Sequence, residues 1–111
     1  MSNARELELV ERDGRIVVSS RDIAKTFEKK HKSILGLIRE LNCSEEFNRQ
    51  NFLPITYRYG RGRLQPEYLM TRDGFTFLVM GFTGSLSAKF REAYIKAFNA
   101  MEAALNQQKN S

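Results

Sequence analysis

Polar and apolar residues alternate over 6–11 (ELELVE), the two-residue period of a half-buried strand. Asp13-Gly14 then precedes IVVS. Asp-Gly between apolar runs predicts a tight hairpin, because glycine tolerates the positive φ of such a turn. Strands are therefore expected at about 6–11 and 15–19. Ser19 and Ser20 can cap a helix whose Ile23, Ala24 and Phe27 share one face. The run Glu28-Lys29-Lys30-His31 interrupts it. A second helix over about 32–42 has Ile34, Leu37, Ile38 and Leu41 as its buried stripe, with Lys32, Ser33, Gly36, Arg39 and Glu40 opposite.

Residues 44–52 (SEEFNRQNF) predict a short capped helical turn with Phe47 and Phe52 inward. Alternation returns over 52–59 (FLPITYRY), with Leu53, Ile55, Tyr57 and Tyr59 on one side, which favours the core for both tyrosines. Gly60-Arg61-Gly62-Arg63 turns the chain into a return strand at 64–70, and Pro66 marks that strand as an edge. Thr71 caps a helix containing Asp73, Phe75, Leu78 and Val79 that stops near Gly81 to Gly84. A last helix starts around 85–87 and runs to about Leu105, its apolar stripe made by Phe90, Tyr94, Phe98, Met101 and Leu105. Packing on the core is the first expectation for that stripe. An overhang at Met101 to Leu105 would instead pair it with a second copy. Residues 1–5 read as disordered or a cloning remnant, 6–105 as one domain, and 106–111 as a frayed tail. The fold class expected is α+β and winged-helix-like: an N-terminal β-hairpin, a helix-turn-helix, a basic β-hairpin wing and two C-terminal helices.

Length and composition narrow the classes. A chain of 111 residues suits one domain. It has no apolar run long enough to cross a membrane and no signal-peptide layout. Cys43 is a single cysteine and His31 a single histidine, which leaves neither an internal disulfide nor a zinc set, so no cofactor is expected. The expected setting is a reducing compartment. Between residues 21 and 63 stand ten Lys and Arg against five Asp and Glu, so the whole formal excess of +5 lies in that segment. A localised positive field is the footprint of a phosphate-binding surface; a merely solubilising face is the plain alternative.

Two constellations fall inside that segment. Residues 20–41 read as helix, short turn, helix. Ile23, Ala24, Phe27, Ile34 and Leu37 fit the inner positions of a DNA-reading helix-turn-helix, although its common turn glycine is missing. Lys32, Ser33 and Arg39 would then face a major groove, Gly36 would permit close approach, and Lys25, Lys29, Lys30 and His31 would contact phosphates. The hairpin at 52–70 would be the wing, with Arg58, Arg61 and Arg63 holding the flanking groove. The plain alternatives are an ordinary helical hairpin and a basic surface turn. Catalytic chemistry has no candidate: Cys43 has no partner histidine, Gly60-x-Gly62 lacks the third glycine of a nucleotide fingerprint, and Asp73, Glu92 and Glu102 are scattered. The chain is thus expected not to be an enzyme, and duplex DNA is its expected partner. Base stacking of RNA on Tyr57 and Tyr59 is a minor alternative.

The run TRDGFTFLVMGFTGSLSAKFREAYIKAFNAME (71–102) resembles the signature of the phage regulatory protein Rha family, in which a TRDGF…MGFTG block leads into a YI.AFN helix. DIAKTFEKKHKSILGLIREL (22–41) is similar to that family's VA..F.K.H..VL..I segment, and 52–71 looks like its hairpin. The resemblance covers roughly residues 10–102. It implies a phage- or prophage-encoded regulator, related in layout to the N-terminal modules of phage antirepressors and expected in the cytoplasm of a bacterial host, in association with the nucleoid. Many members carry a further C-terminal domain, so a short or truncated member is expected. An antirepressor-like module that binds a host or phage regulatory protein is the rival to DNA binding. The resembling block is mostly apolar and charge-balanced, which suits a scaffold or partner surface more than a DNA face.

Overall fold

Asp13 (φ 52°) and Gly14 (φ 79°) turn the chain between strands β1 (Val10–Arg12) and β2 (Arg15–Ser19), both in the left-handed region that a two-residue hairpin turn needs. The computed structural model describes residues 7–82 and 88–109. The expectations for residues 1–5, the helix start at 85–87, the Phe90 side chain and the last two residues lie outside these. Five helices and two further strands follow β2: α1 (Ser20–Thr26), α2 (His31–Arg39), α3 (Glu45–Asn51), β3 (Phe52–Tyr59), β4 (Arg63–Met70), α4 (Arg72–Met80) and α5 (Ala88–Lys109). Capping residues set the helix starts. Ser19 accepts from the Arg21 amide, Ser44 from Phe47 and Thr71 from Gly74.

The fold is mixed α/β, with an antiparallel four-stranded sheet in the order β1-β2-β4-β3. β4 is therefore not an edge, contrary to the reading of Pro66. It meets β2 only at Val18↔Met70 and Ser19↔Leu69, while Pro66 pairs with Thr56 farther out, where β3 is its one strand neighbour. A residue without an N–H is tolerated there because no second ladder needs it.

One core joins the elements. Val18, Ile23, Phe27, Ile34, Ile38, Phe52, Met70, Phe75, Leu78 and Met101 are buried together, with Phe27 edge-on to Phe82 at a centroid distance of 5.8 Å. In α2 the buried side chains are Ile34, Leu35 and Ile38; Leu37 and Leu41 are only partly covered. The stripe of α5 does not overhang at Met101, which is wholly buried. Nor does the helix end at Leu105. It continues to Lys109, and Gln108 donates to Glu11 (3.1 Å) and to the Gly14 carbonyl (2.7 Å) of the β1–β2 hairpin.

Candidate nucleic-acid interface

The turn from α1 to α2 is a helix end of the Schellman type. Lys29 N–H donates to the Ala24 carbonyl (2.8 Å) and Glu28 N–H to Lys25 (3.3 Å), with Glu28 at φ 54°. Glutamate thus holds the left-handed position where glycine is usual, which explains the missing turn glycine. α2 begins one residue earlier than expected, at His31. Its N-cap Lys30 makes no side-chain capping bond, so the positive end of the helix lies beside Lys29, Lys30 and Lys32.

The outer face of α2 carries Lys32, Ser33 and Arg39 exposed, as the pattern predicted. Lys29, Lys30, Ser33, Gly36, Leu37 and Glu40 line one shallow groove along the helix. A Cβ at Gly36 would meet nothing within 4 Å, so a ligand can approach the helix backbone there. Lys25, Lys30, Lys32, Arg39, Arg61 and Arg63 are all exposed and form no ion pair among the described residues. Lys29 is half-covered, its ammonium 5.0 Å from the centre of the Phe82 ring.

Beyond its two-residue pairing with β2, the β3–β4 hairpin is a two-stranded ribbon. The stretch from Pro54 to Tyr59 reaches roughly 20 Å. The expected core face is not core: Tyr59 is 65% exposed, Leu53 is also exposed and Tyr57 is half-buried. At the tip, Gly60 (φ 62°) and Gly62 (φ 93°) close a short loop between Tyr59 and Arg63. Arg58 folds back, its Nη1 donating to the Gly62 carbonyl at 2.9 Å. Arg58 therefore braces the turn, while Arg61 and Arg63 face solvent.

Sequence reasoning missed the joint that carries this arm. The Arg21 guanidinium stacks 3.8 Å from the centre of the Tyr57 ring, and the His31 ring lies against the same tyrosine at a centroid distance of 6.2 Å. Ser20 Oγ accepts from the Tyr68 amide (2.9 Å) and meets His31 Nε2 at 2.8 Å. Ser19 donates to Glu67, a glutamate only 7% exposed. α1, α2 and the base of the arm are thereby tied through one set of polar side chains. His31, half-buried, has its pKa lowered below 6.5, first by burial and further by Arg21, with Glu67 opposing. The signal in the sequence was Glu67, the one carboxylate between Phe52 and Met70.

A family model described as phage regulatory protein Rha matches residues 18–103. The chain belongs to that family. It is 42% identical over 98 residues to a Haemophilus influenzae protein, covering 85% of this chain and 56% of the relative. A 22.8 kDa Salmonella phage P22 protein from the gp15-gp3 intergenic region is 37% identical over 102 residues, 89% of this chain and 51% of that one. The SPbeta prophage-derived protein YoqD of Bacillus subtilis, named as a candidate antirepressor, is 30% identical over 103 residues, 89% and 41% of the two chains. The chain spans about half the length of these relatives. No solved structure matches it significantly.

The start of the Rha signature run, TRDGF, has a structural reason in this Rha-family chain. Thr71 caps α4 and donates to Asn51 Oδ1 at 2.6 Å. Arg72 pairs with Glu102 of α5 and with Asp73. A Cβ at Gly74 would lie 2.5 Å from the Asn51 carbonyl, so only glycine lets α4 sit against the end of α3. Phe75 is wholly buried. These residues hold the scaffold beneath the basic elements.

Proposed function

We propose that this Rha-family chain is a phage regulator that binds duplex DNA through α2 and the β3–β4 arm, in the manner of a winged helix-turn-helix. The observation that carries the reading is the joint at Arg21, His31 and Tyr57, which holds the arm beside the N-terminus of α2. In a helix-turn-helix that end of the second helix lies nearest the bases. Lys32, Ser33 and Arg39 would face the major groove over Gly36. Lys25, Lys29 and Lys30 would grip phosphates, and Arg61 and Arg63 would hold the neighbouring groove. His31 positions the helix and arm, since its Nε2 is engaged by Ser20.

The test is selection of bound sequences from a random duplex pool, followed by titration of an enriched duplex across salt. Enrichment of a motif, with log affinity falling linearly in log salt, is expected. Absence of duplex binding would overturn the reading.

A second reading is an antirepressor-like module that acts on a host or phage regulatory protein. Met80, 79% exposed, supports it, together with a groove lined by Phe47, Phe77 and Phe98. The antirepressor designation of YoqD points the same way. Capture of a repressor, lost on Met80→Asp, with no motif enriched from the duplex pool, would favour it.

A further inference from the structure

We propose that the β3–β4 arm is a wedge: Tyr59 and Leu64, carried at its arginine tip, enter the minor groove of duplex DNA, open a base step and bend the duplex. The proposal rests on the duplex-binding reading above and deepens it. Tyr59 is 65% exposed and Leu64 58% exposed, near the far end of the ribbon and beyond the Arg21 and His31 contacts at Tyr57. A lone exposed apolar residue means little. Here two large ones stand one cross-strand step apart on opposite faces, each paired with an arginine: Tyr59↔Arg63 and Arg58↔Leu64.

The surroundings select the occupant. From Phe52 to Pro66 the arm holds Arg58, Arg61 and Arg63 and no Asp or Glu. A protein groove that took Tyr59 and Leu64 would have to solvate three arginines around them. A minor groove meets the arginines with phosphates and its negative potential, and meets the apolar pair with the faces of bases. Stiffness also fits. Unstacking a base step has to be driven, and a floppy arm would bend before the DNA did. The Arg58 bond to the Gly62 carbonyl at 2.9 Å braces the tip, and the stack of Arg21 on Tyr57 anchors the base.

The experiment places donor and acceptor dyes at the two ends of a short mixed-sequence duplex containing a central TA step, an easily kinked site. The full chain is added at low salt. Binding is expected to raise energy transfer, with a bend between about 20° and 90°. The Tyr59→Ser/Leu64→Ser double variant is expected to keep most of the affinity, which phosphate contacts supply, while energy transfer stays at the value of free DNA. Leu64→Met alone, which preserves apolar bulk, is expected to retain the bend. Both sites are exposed, so circular dichroism should show an unchanged fold. Binding by the native chain without bending would overturn the wedge and leave the duplex-binding reading standing, as would a double variant that bends DNA fully. No binding by the native chain would overturn both.

Discussion

Ser20 Oγ lies 2.8 Å from His31 Nε2 and accepts the Tyr68 amide at 2.9 Å, so one hydroxyl joins α1, α2 and β4. That hydroxyl has one proton and two lone pairs, so beside the Tyr68 bond it can donate to an unprotonated His31 Nε2 or accept from a protonated one.

Stability should depend on pH through His31. Its folded pKa is lowered from 6.5, chiefly by burial, while Arg21 adds to the effect and Glu67 opposes it. As pH falls below 6.5 the unfolded chain takes up the proton first, so stability drops. The contribution is present in full above the unfolded pKa and is lost as pH falls through the lower folded value. Urea unfolding between pH 7 and pH 5 should show this fall, with a shallower one in His31→Gln. Equal pH slopes in the two proteins would contradict a lowered His31 pKa.

Glu28→Gly should be more stable than Glu28→Ala, a comparison in which both variants lose the Glu28 side chain. A non-glycine residue at φ 54° carries a steric cost of about 1 kcal/mol that glycine avoids. For a domain of this size that corresponds to a difference in Tm of about 4 °C. Thermal unfolding by circular dichroism measures it.

Gly74→Ala should destabilise the domain. The added Cβ would press on the Asn51 carbonyl at 2.5 Å, a backbone atom held by the Thr71 amide at 3.2 Å. Overpacking of this kind costs about 1–3 kcal/mol. Denaturant unfolding should show a lower midpoint, and a neutral result would mean that α3 and α4 can part without loss.

Tyr57→Ala should loosen the arm. It removes the surface on which Arg21 stacks, an interaction of roughly 0.5–2 kcal/mol. Trypsin should then cut after Arg61 and Arg63 faster than in the native chain, while the core helices stay protected. This outcome needs no DNA and tests the joint by itself.

Arg61→Ala/Arg63→Ala should weaken duplex binding and flatten its salt dependence, each lost phosphate contact lowering the slope by about 0.9. Titration over a salt series measures it. An unchanged slope would remove the arm from the interface.

Local chemistry made much of this fold legible from sequence. The Asp13-Gly14 turn, the Ser44 and Thr71 caps and the strand from Phe52 to Tyr59 stand where the pattern put them. Each depends on residues within a few positions of one another. So does the exposed basic face of α2, because helical periodicity alone separates Lys32 and Arg39 from Ile34 and Ile38. The sequence also carried the family resemblance, which the match over residues 18–103 confirms.

What only the tertiary structure decided depends on distant partners. Whether Tyr57 and Tyr59 are buried turns on how far the other layers reach, and among the described residues they reach Tyr57 through Arg21 and His31 but leave Tyr59 exposed. The place of β4 in the sheet follows from its two-residue contact with β2, to which Pro66 contributes nothing. Gln108, near the end of α5, bonds to Gly14, 94 positions away. Ser20, His31, Glu67 and Tyr57 become one joint only when β4 folds back beside α1. Periodicity records which face of an element is apolar; it does not record which element arrives to cover that face.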